Sequence, residues 1–431
     1  MMAMKNNPLL SLVCAIALVS LTGGPSVAAA ASDETPLPQP EAYQQRIIDW
    51  IRSGENGYFH PAVVWKRLGP DGESGPYALH TTRDVPKGET LLVVPRSHTI
   101  DSLKTHEHCY TVARMLKEYE KGDDSFYAPY ISYLFDETAG GTSTGLMPTS
   151  WTPEGQEILE FILDYREDDA LQPKDYRYDS VFDTCGRNFR STNPHQELED
   201  PQLRQRAEDA YCFLLSRSWQ DKMIPVLDMY NHRNGPSKNV ESSTVHYNDK
   251  DITAYALRDI KAGEQLQNTY SECMDDDCKW GKMQYEYLTA SIFVDFGFLE
   301  LYPRRWELGP VGHEVVAEVD QDLQTEDKVF KWIFDKPSSE TLEWISRHLE
   351  RLRSIKTELL EDISLLRSMT GKAHNNIEHE ADSLLELYEG YVEILEMALE
   401  HKEDPIGVTR EQFESDLDDA RKSIELFYDE L

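Results

Sequence analysis

Residues Asp228, Asn231, His232, Arg233, Asn234 and Gly235 follow at once on an apolar run, Ile224 to Leu227. The run reads as a buried strand. A plain turn after it would need only Asn-Gly. So many polar groups crowded at the end of a core strand point to a bound ligand, because binding sites pair an apolar wall with a few placed polar groups. Tyr270 closes a second short strand, and Arg217 sits in the run Ser216-Arg217-Ser218-Trp219.

The chain carries no HExxH and no P-loop, the signatures of zinc peptidases and P-loop phosphoryl transfer. Cys273 and Cys278 flank Asp275-Asp276-Asp277. They suit a small disulfide loop, half of a zinc site lacking a second cysteine pair, or two free thiols on a solvated acidic loop. The other cysteines are Cys14, Cys109, Cys185 and Cys212. With Cys14 removed in a leader, five remain, so at least one lacks an internal partner.

Two stretches share one grammar. Tyr77 to Thr82 leads into Arg83-Asp84-Val85-Pro86-Lys87-Gly88-Glu89 and then Thr90 to Pro95. Ile252 to Leu257 leads into Arg258-Asp259-Ile260-Lys261-Ala262-Gly263-Glu264 and then Gln265 to Tyr270. Each reads as strand, Gly-bearing turn, strand. Between them, Val112 to Glu120 and Gln156 to Tyr165 have helical spacing. Later, Leu342, Ile345, Leu349 and Leu352 fall on one helical face, as do Leu384, Tyr388, Tyr391 and Leu395, and Phe413, Leu417, Ala420 and Ile424. The expected fold class is α+β: a β-rich core in two parts (45–100 and 211–302), split by a mostly helical insertion (101–210) and followed by an all-α region (303–431).

The chain has 431 residues, 40% of them hydrophobic, enough for two or three packed domains. Its 43 basic against 78 acidic residues give a formal charge of -35. Such a chain repels nucleic acid; its acidity either attracts basic protein segments or serves only to keep the protein soluble. Residues 1–31 carry Lys5, an apolar stretch from Pro8 to Leu21 and the small-residue run Ala28 to Ala31. This is a secretory leader pattern, followed by a polar linker (32–44). It implies an oxidising compartment and a mature protein with no membrane span.

The Gly-bearing turn before Leu91-Leu92-Val93-Val94-Pro95, then Asp228-Met229-Tyr230-Asn231-His232, then Ala262 to Ser271, then Asp295-Phe296-Gly297-Phe298 reproduce the motif order of the SET-domain family. The chain resembles the branch with a helical insertion and a helical C-terminal domain, which includes the Rubisco large-subunit lysine methyltransferases and the actin-histidine methyltransferase. Residues 125–134 and 147–151 resemble that branch's insertion, and the resemblance spans roughly residues 45 to 405.

The resemblance implies S-adenosylmethionine as cofactor, bound by Asn231 and His232 with Asp228, Arg217 and Ala78. It implies Tyr270 as the catalytic tyrosine, and Phe296, Trp219 and Tyr270 as lining for the substrate channel. Trp219 stands where lysine-directed members carry an aromatic, so lysine is favoured over histidine as acceptor. Where family members carry Gly-x-Gly, this chain has Pro76 and Ala78, with Gly75 one place early. Proline removes an amide donor and fixes φ, which leaves a catalytically weak protein-binding module as the alternative to an enzyme.

Overall fold

The computed structural model describes residues 40–409, apart from 69–76, 102–107, 139–145, 165–169, 172–184, 186–200, 220–221, 244–249, 271–287, 323–324 and 370–376. The leader pattern, Gly75, Pro76, the Cys273 and Cys278 pair and the stripe beginning at Phe413 lie outside the described residues.

Helix α1 (Pro40–Ser53) precedes strands β1 (Tyr58–Phe59), β2 (Val63–Arg67), β3 (Tyr77–Thr81) and β4 (Thr90–Val94). Helices α2 (His108–Glu120), α3 (Ala128–Ser132), α4 (Pro153–Leu163) and α5 (Pro201–Arg217) follow. The chain then returns to short strands: β5 (Ser218–Trp219), β6 (Lys222–Met223), β7 (Asn231–His232), β8 (Val240–Ser243), β9 (Ile252–Ala256) and β10 (Gln267–Asn268). After α6 (Thr289–Phe296) come β11 (Arg304–Leu308), β12 (Val315–Gln321), β13 (Lys328–Ile333), α7 (Ser339–Ser368), α8 (Ile377–Glu400) and β14 (Ile406–Val408).

Strands from both sides of the insertion share one antiparallel sheet, ordered β1-β4-β9-β8. The mouth of the insertion is closed by Ile100 and Met223, whose amides each donate to the other's carbonyl at 3.0 and 2.8 Å. The split core expected from the repeated turn grammar is therefore one folded unit.

The two repeated turns clasp each other. Val85 and Ile260 exchange amide–carbonyl bonds at 2.9 and 2.8 Å. The Gly88 amide donates to Ala256, and the Gly263 amide donates to the equivalent Thr81. Asp84 accepts from the Ala262 amide at 2.9 Å, while Asp259 accepts from the Lys87 amide at 3.0 Å. Each aspartate thus caps the other's turn. Gly88 and Gly263 sit at φ 82° and 84°, a region that disfavours any Cβ. The clasp aims the segment after Glu264 along β3, with the Leu266 amide on the Leu79 carbonyl at 2.8 Å.

Two apolar cores result. The first joins the central sheet to α1, α2, α3 and α5 through Ile47, Ile51, Leu91, Leu92, Tyr130 and Phe213, among others. The second packs α4 against α7 and α8, where Ile345, Leu349, Leu352, Leu384, Tyr388, Tyr391 and Leu395 are all buried. The two helical stripes that fall within the described residues therefore face a common core. The region after 303 is not purely helical, however. It opens with an antiparallel meander, β11-β12-β13, with β14 added in parallel. Trp306 and Leu308, Val315, Ala317 and Val319, and Phe330 and Trp332 alternate at a period of two. This signal is shorter than the helical stripes beyond it. The α+β class holds.

Cys109 and Cys185 form a disulfide, and Cys212 is buried as a free thiol. The bridge ties the start of α2 to a point 76 residues on, and a loop of that length constrains the unfolded chain by about 4 kcal/mol. Reduction, or Cys109→Ser, should lower the melting temperature by roughly 5 °C or more in a calorimetric scan. An unchanged melting temperature would contradict a structural bridge.

Candidate functional site

Ile224 to Leu227 is buried but is not a strand. Pro225 lies in the run and cannot donate to a ladder. The chain turns instead, with Val226 at φ 69° and a 3₁₀ turn over Leu227–Met229. A β-branched residue at positive φ is strained, at a cost of order 1–3 kcal/mol. Such strain is held by surrounding structure, and it aims Asp228 and Tyr230 inward from one tight turn.

Strand β7, which holds Asn231 and His232, pairs in parallel with β10: Asn231 opposite Gln267 and His232 opposite Asn268. Tyr270 lies two residues beyond. Its amide donates to His232 Nδ1 at 2.9 Å, so that nitrogen is an acceptor and the ring proton sits on Nε2. Nε2–H then donates to Glu300 Oε2 at 2.7 Å, with both side chains almost fully buried. Glu300 also accepts from Asn234 Nδ2 at 2.6 Å and from the Thr289 hydroxyl. Asn234 Oδ1 in turn accepts from Thr269 Oγ1 at 2.8 Å. The two motifs, 38 residues apart in the chain, are thus locked through one imidazole.

The Tyr270 hydroxyl donates to the Tyr230 carbonyl at 3.0 Å. Burial pushes its pKa up to about 12, with Arg217 pulling down and Asp228 pushing up. Near pH 7 Tyr270 is therefore a neutral phenol. Its ring lies 4.6 Å from that of Phe296 and 5.0 Å from His232. Phe298 is 6.1 Å from His232 and 6.4 Å from Phe296. Three aromatic rings and an imidazole make one wall.

Arg217, the last residue of α5, approaches Asp228 at 3.6 Å. The Tyr130 hydroxyl, from α3 of the insertion, donates to the same Asp228 Oδ2 at 2.9 Å. Burial pushes the Asp228 carboxyl up to about 6, and Arg217 and Tyr130 only partly offset it. Burial works against the Arg217 charge, but Tyr133, Asp228, Tyr130 and Tyr270 outweigh it and raise its pKa. Of the sequence-derived candidates, Asn231, His232, Asp228, Arg217, Tyr270 and Phe296 come together. Trp219 stands two residues from Arg217 on β5, half-buried against the first core. Ala78 is fully buried on β3, and that strand packs beside the Leu227–Met229 turn.

Sequence reasoning missed Tyr130, Tyr230 and Glu300. Tyr130 lies in the quoted insertion motif, but nothing local assigns it to Asp228, 98 residues on. Glu300 follows Phe298-Leu299 as one acid among many. Two buried polar atoms at this turn, Asp228 Oδ1 and Tyr230 Oη, have no hydrogen-bond partner among the described residues. Such orphans are costly unless a ligand or water meets them, so these residues fit a polar ligand seated here.

Glu300→Ala leaves three buried donors unmet and should destabilise the protein by about 3 kcal/mol or more in urea titration; a change near zero would contradict the hub. For Asp228 the sign follows from linkage. Its folded pKa of about 6 lies above the unfolded value of about 3.9. Its contribution is fully present below about pH 4 and is lost as pH rises through the folded value. The stability of Asp228→Asn relative to wild type should therefore climb between about pH 4 and about pH 7. A flat difference would contradict the burial of an ionising carboxyl.

Residues 77–271 match the family model of the SET domain. The match takes in Ala78, Arg217, Asp228, Asn231, His232 and Tyr270 and stops short of Phe296 and Glu300. An uncharacterised protein of Schizosaccharomyces pombe is 21% identical over 305 residues, which cover 61% of this chain and 56% of that protein; the chain thus spans little more than half that relative's length. Among solved structures, the SET domain of LSMT bound to lysine and AdoHcy aligns with TM-score 0.42 at 12% identity, over 88% of this chain and 96% of that one. Rubisco LSMT bound to sinefungin and monomethyllysine aligns with TM-score 0.43 at 13% identity, over 88% and 97%. Both structural likenesses are weak. The match to the SET-domain model over residues 77–271 agrees with the motif order and with the convergence of Tyr270 on Asn231-His232.

Proposed function

We propose that this protein is an S-adenosylmethionine-dependent protein-lysine N-methyltransferase acting on a basic protein segment. One observation supports the reading: the Tyr270 amide donates to His232 and its hydroxyl to the Tyr230 carbonyl, which sets the phenol against the turn that would hold the cofactor. The Asp228–His232 turn would hold the cofactor, with Ala78 on the strand beside it. When bound there, the cofactor would supply an electrophilic methyl group on a sulfonium whose sulfur can keep the carbon–sulfur electron pair.

The residues here orient the acceptor. A lysine amine has a reference pKa of about 10.4 and must shed its proton to water before it can attack. An aromatic wall of Tyr270, Phe296 and Phe298 disfavours the ammonium form. Carbonyls such as that of Tyr230 can hold a polarised methyl by weak C–H···O contacts, while the Tyr270 hydroxyl steers the amine lone pair. With Tyr270 held as a phenol, the rate advantage rests on alignment. Trp219 favours lysine over histidine as acceptor, and the surplus of carboxylates favours a basic partner. The Cys109–Cys185 bridge supports an oxidising compartment, in keeping with the leader pattern. No helix among the described residues is long and apolar enough to cross a membrane.

Calorimetric titration with S-adenosylmethionine should give binding heat for both wild type and Tyr270→Phe. Transfer of labelled methyl to protein in a cell extract should fall by about 100-fold in that variant. Binding without transfer in wild type, or no heat at all, would favour a protein-binding module over an enzyme. Equal transfer by Tyr270→Phe would remove the tyrosine from the chemistry.

A further inference from the structure

The aromatic wall is not held by the SET core alone. Phe296 ends α6, and Gly297 caps that helix at φ 76° with its amide on the Phe293 carbonyl at 2.9 Å. A Cβ at Gly297 would lie 1.9 Å from the Leu146 carbonyl oxygen. The backbone of the insertion therefore presses directly on the turn that carries Phe296 and Phe298. Two carbonyls, those of Leu146 and Gly297, converge at this contact. Carbonyl oxygens only accept, so the pair needs a shared donor.

That donor comes from the C-terminal region. His379, in the first turn of α8, brings Nε2 to 3.1 Å from the Leu146 oxygen and 3.1 Å from the Gly297 oxygen. Both partners are acceptors, so Nε2 carries the ring proton and donates to both. The next residue, Glu380, is fully buried. It accepts from the Thr152 amide at 3.2 Å and from the Thr152 hydroxyl at 2.7 Å. Thr152 is the N-cap of α4, its hydroxyl accepting from the Gly155 amide at 3.0 Å. Consecutive residues of α8 thus grip the 146–152 segment at both ends, and His379 also takes hold of the Phe296-Gly297-Phe298 turn.

We propose that His379 is a positioning residue for methyl transfer: through the Gly297 and Leu146 carbonyls it sets how closely the Phe296 ring stands to Tyr270. Its role in turnover rests on the methyltransferase reading, whereas the hold on the turn does not. The imidazole touches no reacting atom. Its effect is on ring placement, where a misplacement of about 1 Å costs on the order of 100-fold in rate. The C-terminal region then tunes the channel from outside the SET core, in addition to any part it plays as a platform for protein substrate.

The test compares His379→Ala and His379→Gln with wild type, by hydrogen exchange of the peptide spanning residues 296–300 and by steady-state kinetics. Loss of the donor in His379→Ala should raise exchange in that peptide and lower kcat at least tenfold, with the affinity for S-adenosylmethionine unchanged. His379→Gln, whose amide donates two hydrogens, should restore most of both. Unaltered exchange and kcat in His379→Ala overturns the proposal. So does equal damage by alanine and glutamine, which marks a merely structural site. If wild type transfers no methyl group, the functional reading fails while the exchange data still decide the hold on the turn. If His379→Ala does not fold, His379→Gln decides alone: near-wild-type protection and kcat support the proposal, and loss of either in a folded protein overturns it.

Discussion

The imidazole of His232 is the pivot of this molecule. One ring nitrogen accepts the Tyr270 amide and the other donates to Glu300. Only the neutral ring with its proton on Nε2 satisfies both bonds. A buried carboxylate that accepts from His232, Asn234 and Thr289 enforces that tautomer. The result is a short chain of hydrogen bonds from the segment after α6, through β7, to the residue beyond β10. Buried polar groups of this kind are worth having only when every member is met. Here the hub is met, and the orphaned atoms, Asp228 Oδ1 and Tyr230 Oη, belong to the neighbouring turn where a ligand would supply partners.

Around that pivot, three parts of the chain supply the site in different ways. The SET core delivers Tyr270 through the reciprocal clasp of its two Gly turns, which fixes the register of the segment leading to β10. The insertion supplies Tyr130 to Asp228 and the Leu146 carbonyl beneath Gly297. The C-terminal helices supply His379 and Glu380. The insertion is divided between the two apolar cores, with α2 and α3 in the first and α4 in the second. It therefore works as a bridge that makes the aromatic wall a product of both.

What the sequence disclosed and what it concealed divide along a physical line. The two turn motifs, Arg83 to Glu89 and Arg258 to Glu264, were legible because positive-φ glycines and flanking β-rich runs are local signals, and their likeness foretold that they belong together. The stripes of α7 and α8 were legible from periodicity. Asn231, His232 and Tyr270 were found because the order of motifs carries information that no single dipeptide does. Pro225 should have demoted the 224–227 run from strand to turn, and the positive φ of Val226 lay beyond any propensity argument. The β11-β12-β13 meander was missed because its alternating runs are short. Glu300, Tyr130, His379 and the Cys109–Cys185 pairing were hidden for one reason: each is defined by a partner between 68 and 233 residues away, and an acid, a phenol, an imidazole or a thiol does not announce its partner in the chain.

The most direct test of a single donor pocket is a crystal structure of the protein with S-adenosylhomocysteine bound. The sulfur should lie within about 4 Å of the Tyr270 hydroxyl, contact distance for non-bonded atoms, with the Asp228–His232 turn against the rest of the ligand. Ligand density elsewhere on the protein, or a ligand at that turn whose sulfur points away from Tyr270, would contradict the account.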